Sequence, residues 1–305
     1  MYWSYDSLWQ KTKVYADRAM RERRDGALFP FWASLTLEFL ARAALARIHP
    51  VLLADPRGEE SILYAFGYPS KAPSSVPMKT VVSRCKTTVK GFTDEESKVA
   101  LSLSQRRNDE LHTGHPAFEE FPTKFWLADF FRTSQLLLIH QDKSLEDLFG
   151  LEEATAAETM ISAADKQIKA EAIIIFNRAE KEFDKLPEFE KSKRRFLGSK
   201  EAQKKLAASG GLILCPACQA QALISGQVVS KSESRLEDDD IVIDTILLPT
   251  NLRCFSCDLE LPTHGSLHAL DLGGQITHES RIPAVEYYES EIDISDYYEP
   301  EYGND

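Results

Sequence analysis

RRNDELHTGHP, residues 106–116, is the stretch on which the reading of this chain turns. Two arginines and an asparagine precede three residues that suit a helix, then come His112, Gly114 and Pro116. Upstream, Thr93-Asp-Glu-Glu96 has the spacing of a capping box, in which a hydroxyl and a carboxylate satisfy free amides at a helix start. The helix predicted from there runs through SKVALSLSQRRNDELH. It stops at Gly114, a residue favoured just past a helix end, and at Pro116, which disfavours helix at the residue before it. Asn108 and His112 then stand at i and i+4 and share a face. Arg107 lies five residues from His112, about 7.5 Å along the axis.

Around this helix the first half of the chain reads as helical. Residues 5–24 and 32–48 show apolar recurrence at three and four. A loop rich in Pro, Ser and Gly is expected from DPRGEE to GYPSKAPSSVP, followed by a short helix near 77–89 and an apolar one near 124–141. Ser144 and Asp147 form a second cap. Residues 144–208 are helical but more polar, divided at Pro187, with mixed charge at i, i+4 spacing. They read as a connecting arm.

At Gly210-Gly211 the texture changes. LIL, ALISGQVV, DIVIDTILL and the region around HGSLHAL are short β-type runs. The expected class is therefore a multidomain α+β chain. Its parts are a helical domain over 1–143, an arm over 144–209, a small β-rich unit over 210–278 and an acidic, tyrosine-rich tail over 279–305.

The formal net charge of −12 is unevenly spread. Residues 1–200 are nearly balanced, and the excess of acids lies beyond them. The acidity of the whole therefore does not argue against phosphate binding by the N-terminal part, which depends on the local patch. The first residues, MYWSYDSLWQKTK, lack the basic start and apolar run of a secretory signal. The most apolar stretch carries Glu38, Arg42 and Arg47, so it reads as an amphipathic helix and not a membrane span. A cytoplasmic protein without a membrane partner is expected.

Four of the five cysteines form two CxxC pairs, Cys215–Cys218 and Cys254–Cys257. In a reducing compartment this pattern points to metal and not to disulfides. Two knuckles complete a tetrahedral sulfur shell, which suits a structural Zn2+. Short strands on both sides match a zinc ribbon, with the acidic turn ESRLEDDD at the tip of a hairpin between the knuckles. Four thiolates leave no open position for water, so the metal contributes folding energy and no chemistry. Cys85, between Arg84 and Lys86, reads as a partly buried thiol.

Two copies of the 106–112 helix around a twofold axis would gather two histidines and up to four arginines at one groove. A histidine near its usual pKa of ~6.5 can take a 2′-hydroxyl proton or protonate a leaving oxygen. Arginine can hold a phosphate and its transition-state charge. Asn108 could orient the imidazole.

Arg107-Asn108-x-x-x-His112-x-Gly114, ending a helix of an all-helical N-terminal unit, resembles the HEPN superfamily. The resemblance covers about residues 1–143. It implies a helical bundle that homodimerises with the motif at the interface. It also implies a metal-independent endoribonuclease of the toxin or phage-defence kind, with RNA as substrate and catalysis by Arg107, Asn108, His112 and Arg106. Which arginine acts is left open. Some family members have lost catalysis and serve as binding modules, and the zinc ribbon or the acidic tail could then engage a protein or nucleic-acid partner. Gly114 stands where some members carry a modifiable tyrosine, so that form of regulation is not expected. Arg42 and His49 also satisfy the loose spacing, but without an adjacent asparagine, and are set aside.

The competing reading of 106–116 is a helix C-terminus whose basic residues complement the macrodipole. Glu38 could face the site or pair with an arginine there, although pointing outward is the favoured reading. His115 could assist His112 but is expected to lie in a loop. His140, His264 and His268 are expected to have structural roles, with His264 or His268 able to replace a thiolate if one cysteine is free. The run Lys191-Ser-Lys193-Arg194-Arg195 could touch RNA phosphates, but a solvated face is the favoured reading. The tail carries negative charge and flat rings, so it could cover a basic groove, or simply solubilise.

Overall fold

The computed structural model describes residues 2–206 and 210–291. It mixes helix and antiparallel sheet, and the chain divides into two compact units, residues 1–170 and 171–305.

The first unit is helical. It contains α1 (Tyr5–Arg21), α2 (Leu28–Ile48), α3 (Glu59–Ala65), α4 (Met78–Thr88), α5 (Asp94–His112), α6 (Leu127–His140), α7 (Leu145–Phe149) and the first part of α8 (Leu151–Asp184). α2 is the centre: α1, α4, α5 and α6 all pack on it. Its length and apolarity would allow it to cross a membrane, but two-thirds of that stretch is buried inside the protein. It is apolar on all sides because neighbours surround it. Phe29, Leu37, Leu40 and Leu45 of α2 share one core with Leu103 of α5 and with Phe130, Phe131, Leu137 and Leu138 of α6.

Caps written in the sequence set the helix starts. Before α5, the Thr93 amide and hydroxyl donate to Glu96 Oε2 at 2.7 and 2.6 Å, and the Glu95 amide donates to Thr93 Oγ1 at 3.2 Å. Ser144 and Asp147 cap α7 in the same way. The end of α5 differs from expectation. Thr113 closes it, its amide and hydroxyl both donating to the Asp109 carbonyl at 2.9 and 2.7 Å. Gly114 has ordinary negative-φ backbone and is no left-handed cap. The expected loop before residue 77 also contains α3, which the density of Pro and Gly around it concealed.

The second unit takes the remainder of α8, α9 (Glu188–Lys204) and a sheet of six strands. These are β1 (Gly210–Leu214), β2 (Gln221–Lys231), β3 (Arg235–Glu237), β4 (Asp240–Arg253), β5 (Glu260–Leu261) and β6 (Ile276–Pro283). The path runs β1-β2-β4-β3, with β5 and β6 also on β4, and every pairing is antiparallel. Asp238, with φ 53°, turns the tip between β3 and β4. The run HGSLH is not a strand but α10 (His264–His268), because Thr263 and Ser266 build a capping box ahead of it.

The expected arm over 144–209 is thus shared. Ala154, Ala157 and Ile161 of α8 lie in the first core, while Ala172, Phe183 and α9 belong with the sheet. The β unit extends past 278 through β6, and α11 (Ala284–Glu291) follows it. The rest of the acidic segment, 292–305, lies outside the described residues.

Candidate active site and candidate metal centre

In the first unit, α5 carries Arg106, Arg107, Asn108 and His112 on its last turns. Arg107 is mostly buried and reaches α2, where its Nη1 donates to Glu38 Oε2. Its Nε and Nη2 donate to the Asn108 side-chain oxygen at 3.3 and 2.8 Å. The Asn108 oxygen therefore orients the arginine beside it, and among the described residues no hydrogen bond joins Asn108 to His112.

Glu38 does not point outward. Its side chain is only 11% exposed, because α2 has little outward face at this level. Oε1 accepts from Arg42 Nε and Nη2 at 3.1 and 2.9 Å, while Oε2 accepts from Arg107. Arg42 also donates to the Val76 carbonyl at 3.2 Å. Burial works to raise the Glu38 carboxyl, but Arg42 and Arg107 outweigh it and hold the group below the usual carboxylate range. A buried carboxylate between two guanidiniums fixes both. A cleft of about 460 Å³, lined by Trp3, Lys11 and Phe39, opens beside Glu38 and Arg42.

Arg106 turns the other way. Its guanidinium lies 3.9 Å from the centre of the Phe121 ring, and Nη1 donates to the Ala117 carbonyl at 3.0 Å. It pins the loop after α5. His115 lies in that loop, 3.7 Å from Glu120. His112 is exposed, and among the described residues its ring makes no hydrogen bond. The structure thus brings Arg107 and Asn108 together with Glu38 and Arg42, leaves His112 open on the next turn, and separates Arg106 from them. A charged residue in an otherwise apolar helix was the one signal that could have found Glu38.

In the second unit the four thiols of Cys215, Cys218, Cys254 and Cys257 lie within 4.8 Å of one another. Cys215 and Cys257 sulfurs are 3.6 Å apart, and Cys218 and Cys254 sulfurs 3.5 Å. A tetrahedron with ~2.3 Å metal–sulfur bonds has edges of about 3.8 Å, so the cluster fits a four-sulfur metal shell. The two knuckles are built alike. The Cys215 amide donates to the Ala220 carbonyl at 2.8 Å, and the Cys254 amide to the Leu259 carbonyl at 2.9 Å. In each turn the residue after the second cysteine, Gln219 or Asp258, is left-handed, with φ 61° and 56°.

Hydrogen bonds from Cys215, Cys218 and Cys257 draw the Cys254 thiol far below its ordinary range, while the Cys218 and Cys257 thiols are driven up. The Cys215 thiol is also lowered, chiefly by the hydrogen bond from Cys218, and ionising all four sulfurs requires positive charge among them. His264 stays apart, its Nδ1 paired with the Pro249 carbonyl at 2.8 Å, so no histidine replaces a thiolate here. Cys85 is fully buried, and burial pushes its thiol up to about 12.

α9 forms the outer wall of this centre. Arg195 Nε donates to the Cys218 carbonyl at 2.8 Å, and the Ser199 hydroxyl accepts from the Gln221 amide at 3.1 Å. The basic run at 191–195 is therefore only partly a solvated face. Gly198 lets α9 approach the second knuckle: a Cβ there would lie 2.1 Å from Ser256 Oγ and 2.8 Å from the Phe255 carbonyl carbon.

No family model, curated protein or solved structure matches the chain.

Proposed function

We propose that this chain is a HEPN-like endoribonuclease acting as a homodimer, with a zinc ribbon in its second unit, and that it serves as an RNA-cleaving effector of the toxin or anti-phage kind in the cytoplasm. The observation that carries the reading is the pairing of a fixed Arg107 with an open His112 five residues later on α5. Arg107 spends three of its five N–H donors on Glu38 and Asn108, leaving two for a phosphate. In this reading Arg107 takes the phosphate, and Arg106, which donates to the Ala117 carbonyl, steadies the loop after α5.

In this reading His112 of one protomer takes the proton of a ribose 2′-hydroxyl. The 2′ oxygen attacks phosphorus while the bond to the 5′ oxygen breaks, and the second imidazole of the dimer protonates that oxygen. The products are a 2′,3′-cyclic phosphate and a 5′-hydroxyl. Arg107 holds the negative charge that builds on the phosphoryl oxygens. The four cysteines hold Zn2+ as a structural ion, which supplies folding energy to the β unit.

One observation favours a second reading. Both arginines of the motif already have partners within the chain, as they would in an inactive module that only binds RNA or a protein. Sequencing RNA ends after expression of the wild type and of His112→Ala separates the two. The nuclease reading expects new 5′-hydroxyl ends that vanish in the variant. Identical ends from both, with the variant folded, would overturn it.

A further inference from the structure

α9 has two faces. One, with Gly198, Ala202 and Arg195, is seated on the knuckles. The other carries Phe189, Lys193, Phe196, Leu197, Lys200 and Lys204, and all six are exposed. At ~100° per residue these six fall within an arc of about 100°, opposite Gly198. Phe189 is 81% and Phe196 70% exposed, large values for rings on a well-packed helix. Among the described residues neither ring meets another ring or a cation, and none of the three lysines forms an ion pair. The bases on the flanks differ: Arg194 pairs with Glu190, Lys191 with Asp184 and Lys205 with Glu201.

Two bare aromatic faces set about 10 Å apart, interleaved with unpaired cations, match an unpaired polynucleotide strand. Its bases stack on rings and its phosphates bind cations. A duplex hides its base faces and would use only the lysines. We propose that the outer face of α9 is a docking platform for single-stranded RNA, with Phe189 and Phe196 stacking bases and Lys193, Lys200 and Lys204 holding phosphates. The inference rests on the nuclease reading only for the choice of RNA. It gives the strand a point of attachment in the second unit, separate from α5.

The test uses the full chain carrying His112→Ala, so that the probe survives. Binding of a fluorescein-labelled 12-mer of uridines is followed by anisotropy across a salt series. Phe189→Ala/Phe196→Ala is expected to weaken binding about a hundredfold, roughly tenfold per ring, while binding of a 12-base-pair RNA duplex changes little. Lys193→Ala/Lys200→Ala/Lys204→Ala is expected to lower the slope of log affinity against log salt by about 2. Both variants touch only exposed side chains, and retained metal content and helical signal verify the fold. No binding by the parent, or affinities within twofold of it in both variants, overturns the proposal. A phenylalanine variant that changes sedimentation but keeps its RNA affinity marks a protein interface and also overturns it. Loss of binding in the variants, with no RNA ends produced by the wild type, keeps the platform and removes the nuclease.

Discussion

Glu38 and Arg107 stand sixty-nine residues apart in sequence and are joined by an ion pair that links the central helix to the helix of the Arg-x(4)-His motif. Arg42 occupies the other carboxylate oxygen, so one acid is shared between two bases in a setting with little solvent.

Glu38→Gln should therefore cost far more than an ordinary surface change. It leaves two guanidiniums facing each other without a counter-charge, at a cost of about 3 kcal/mol. All four tryptophans, at 3, 9, 32 and 126, lie in the first unit, so tryptophan fluorescence in urea reports that unit alone. A midpoint unchanged by the substitution would show that the network carries no stability.

The same carboxyl gives a pH dependence of known sign. Its folded pKa lies below the ordinary value, so its stabilisation is complete above the unfolded pKa and is lost as pH falls through the folded one. The wild-type urea midpoint is expected to drop below the ordinary carboxylate range more steeply than that of Glu38→Gln. Parallel curves would contradict this.

Gly198→Ala inverts a common rule. Alanine in a helix interior is usually better than glycine by ~1 kcal/mol. Here the new methyl meets Ser256 and the Phe255 backbone, so a loss of about 1–3 kcal/mol is expected. Faster release of metal to a chromophoric chelator is the measurement. A more stable variant would mean that α9 is not seated on the knuckle.

Removal of the metal should unfold the second unit and spare the first. Chelation is expected to abolish the β-sheet circular dichroism while the tryptophan spectrum stays native. Elemental analysis is expected to find one zinc per chain, and much less than one in Cys254→Ser. Intact sheet signal after complete chelation would make the cluster dispensable.

Cys85 should be inert in the folded protein. With its thiol at about 12 and no exposed surface, alkylation by iodoacetamide at pH 8 is expected to be on the order of a thousandfold slower than after denaturation. Mass spectrometry of the labelled peptide decides it.

What was legible in the sequence follows from where each signal resides. The capping boxes at Thr93 and Ser144 are local chemistry and can be read three residues at a time. The cysteine pairs announce their meeting because each CxxC turn is also local. Glu38 was misread because amphipathic reasoning assumes an outward face, and α2 is covered nearly all round. The role of Asn108 was missed because an i, i+4 relation places residues on one face but does not say which neighbour wins the oxygen. The seating of α9 was hidden in a polar helix with mixed charges. Gly198, in mid-helix without a turn to make, was the one clue that another backbone comes close.

The two knuckles share a backbone turn but lie thirty-six residues apart from Cys218 to Cys254. An ion held by all four sulfurs would tie that length into a loop. Should the sheet come apart while the ion stays bound, the strands between remain tethered at a common root. Their search for partners then starts from a closed ring, which shortens the way back.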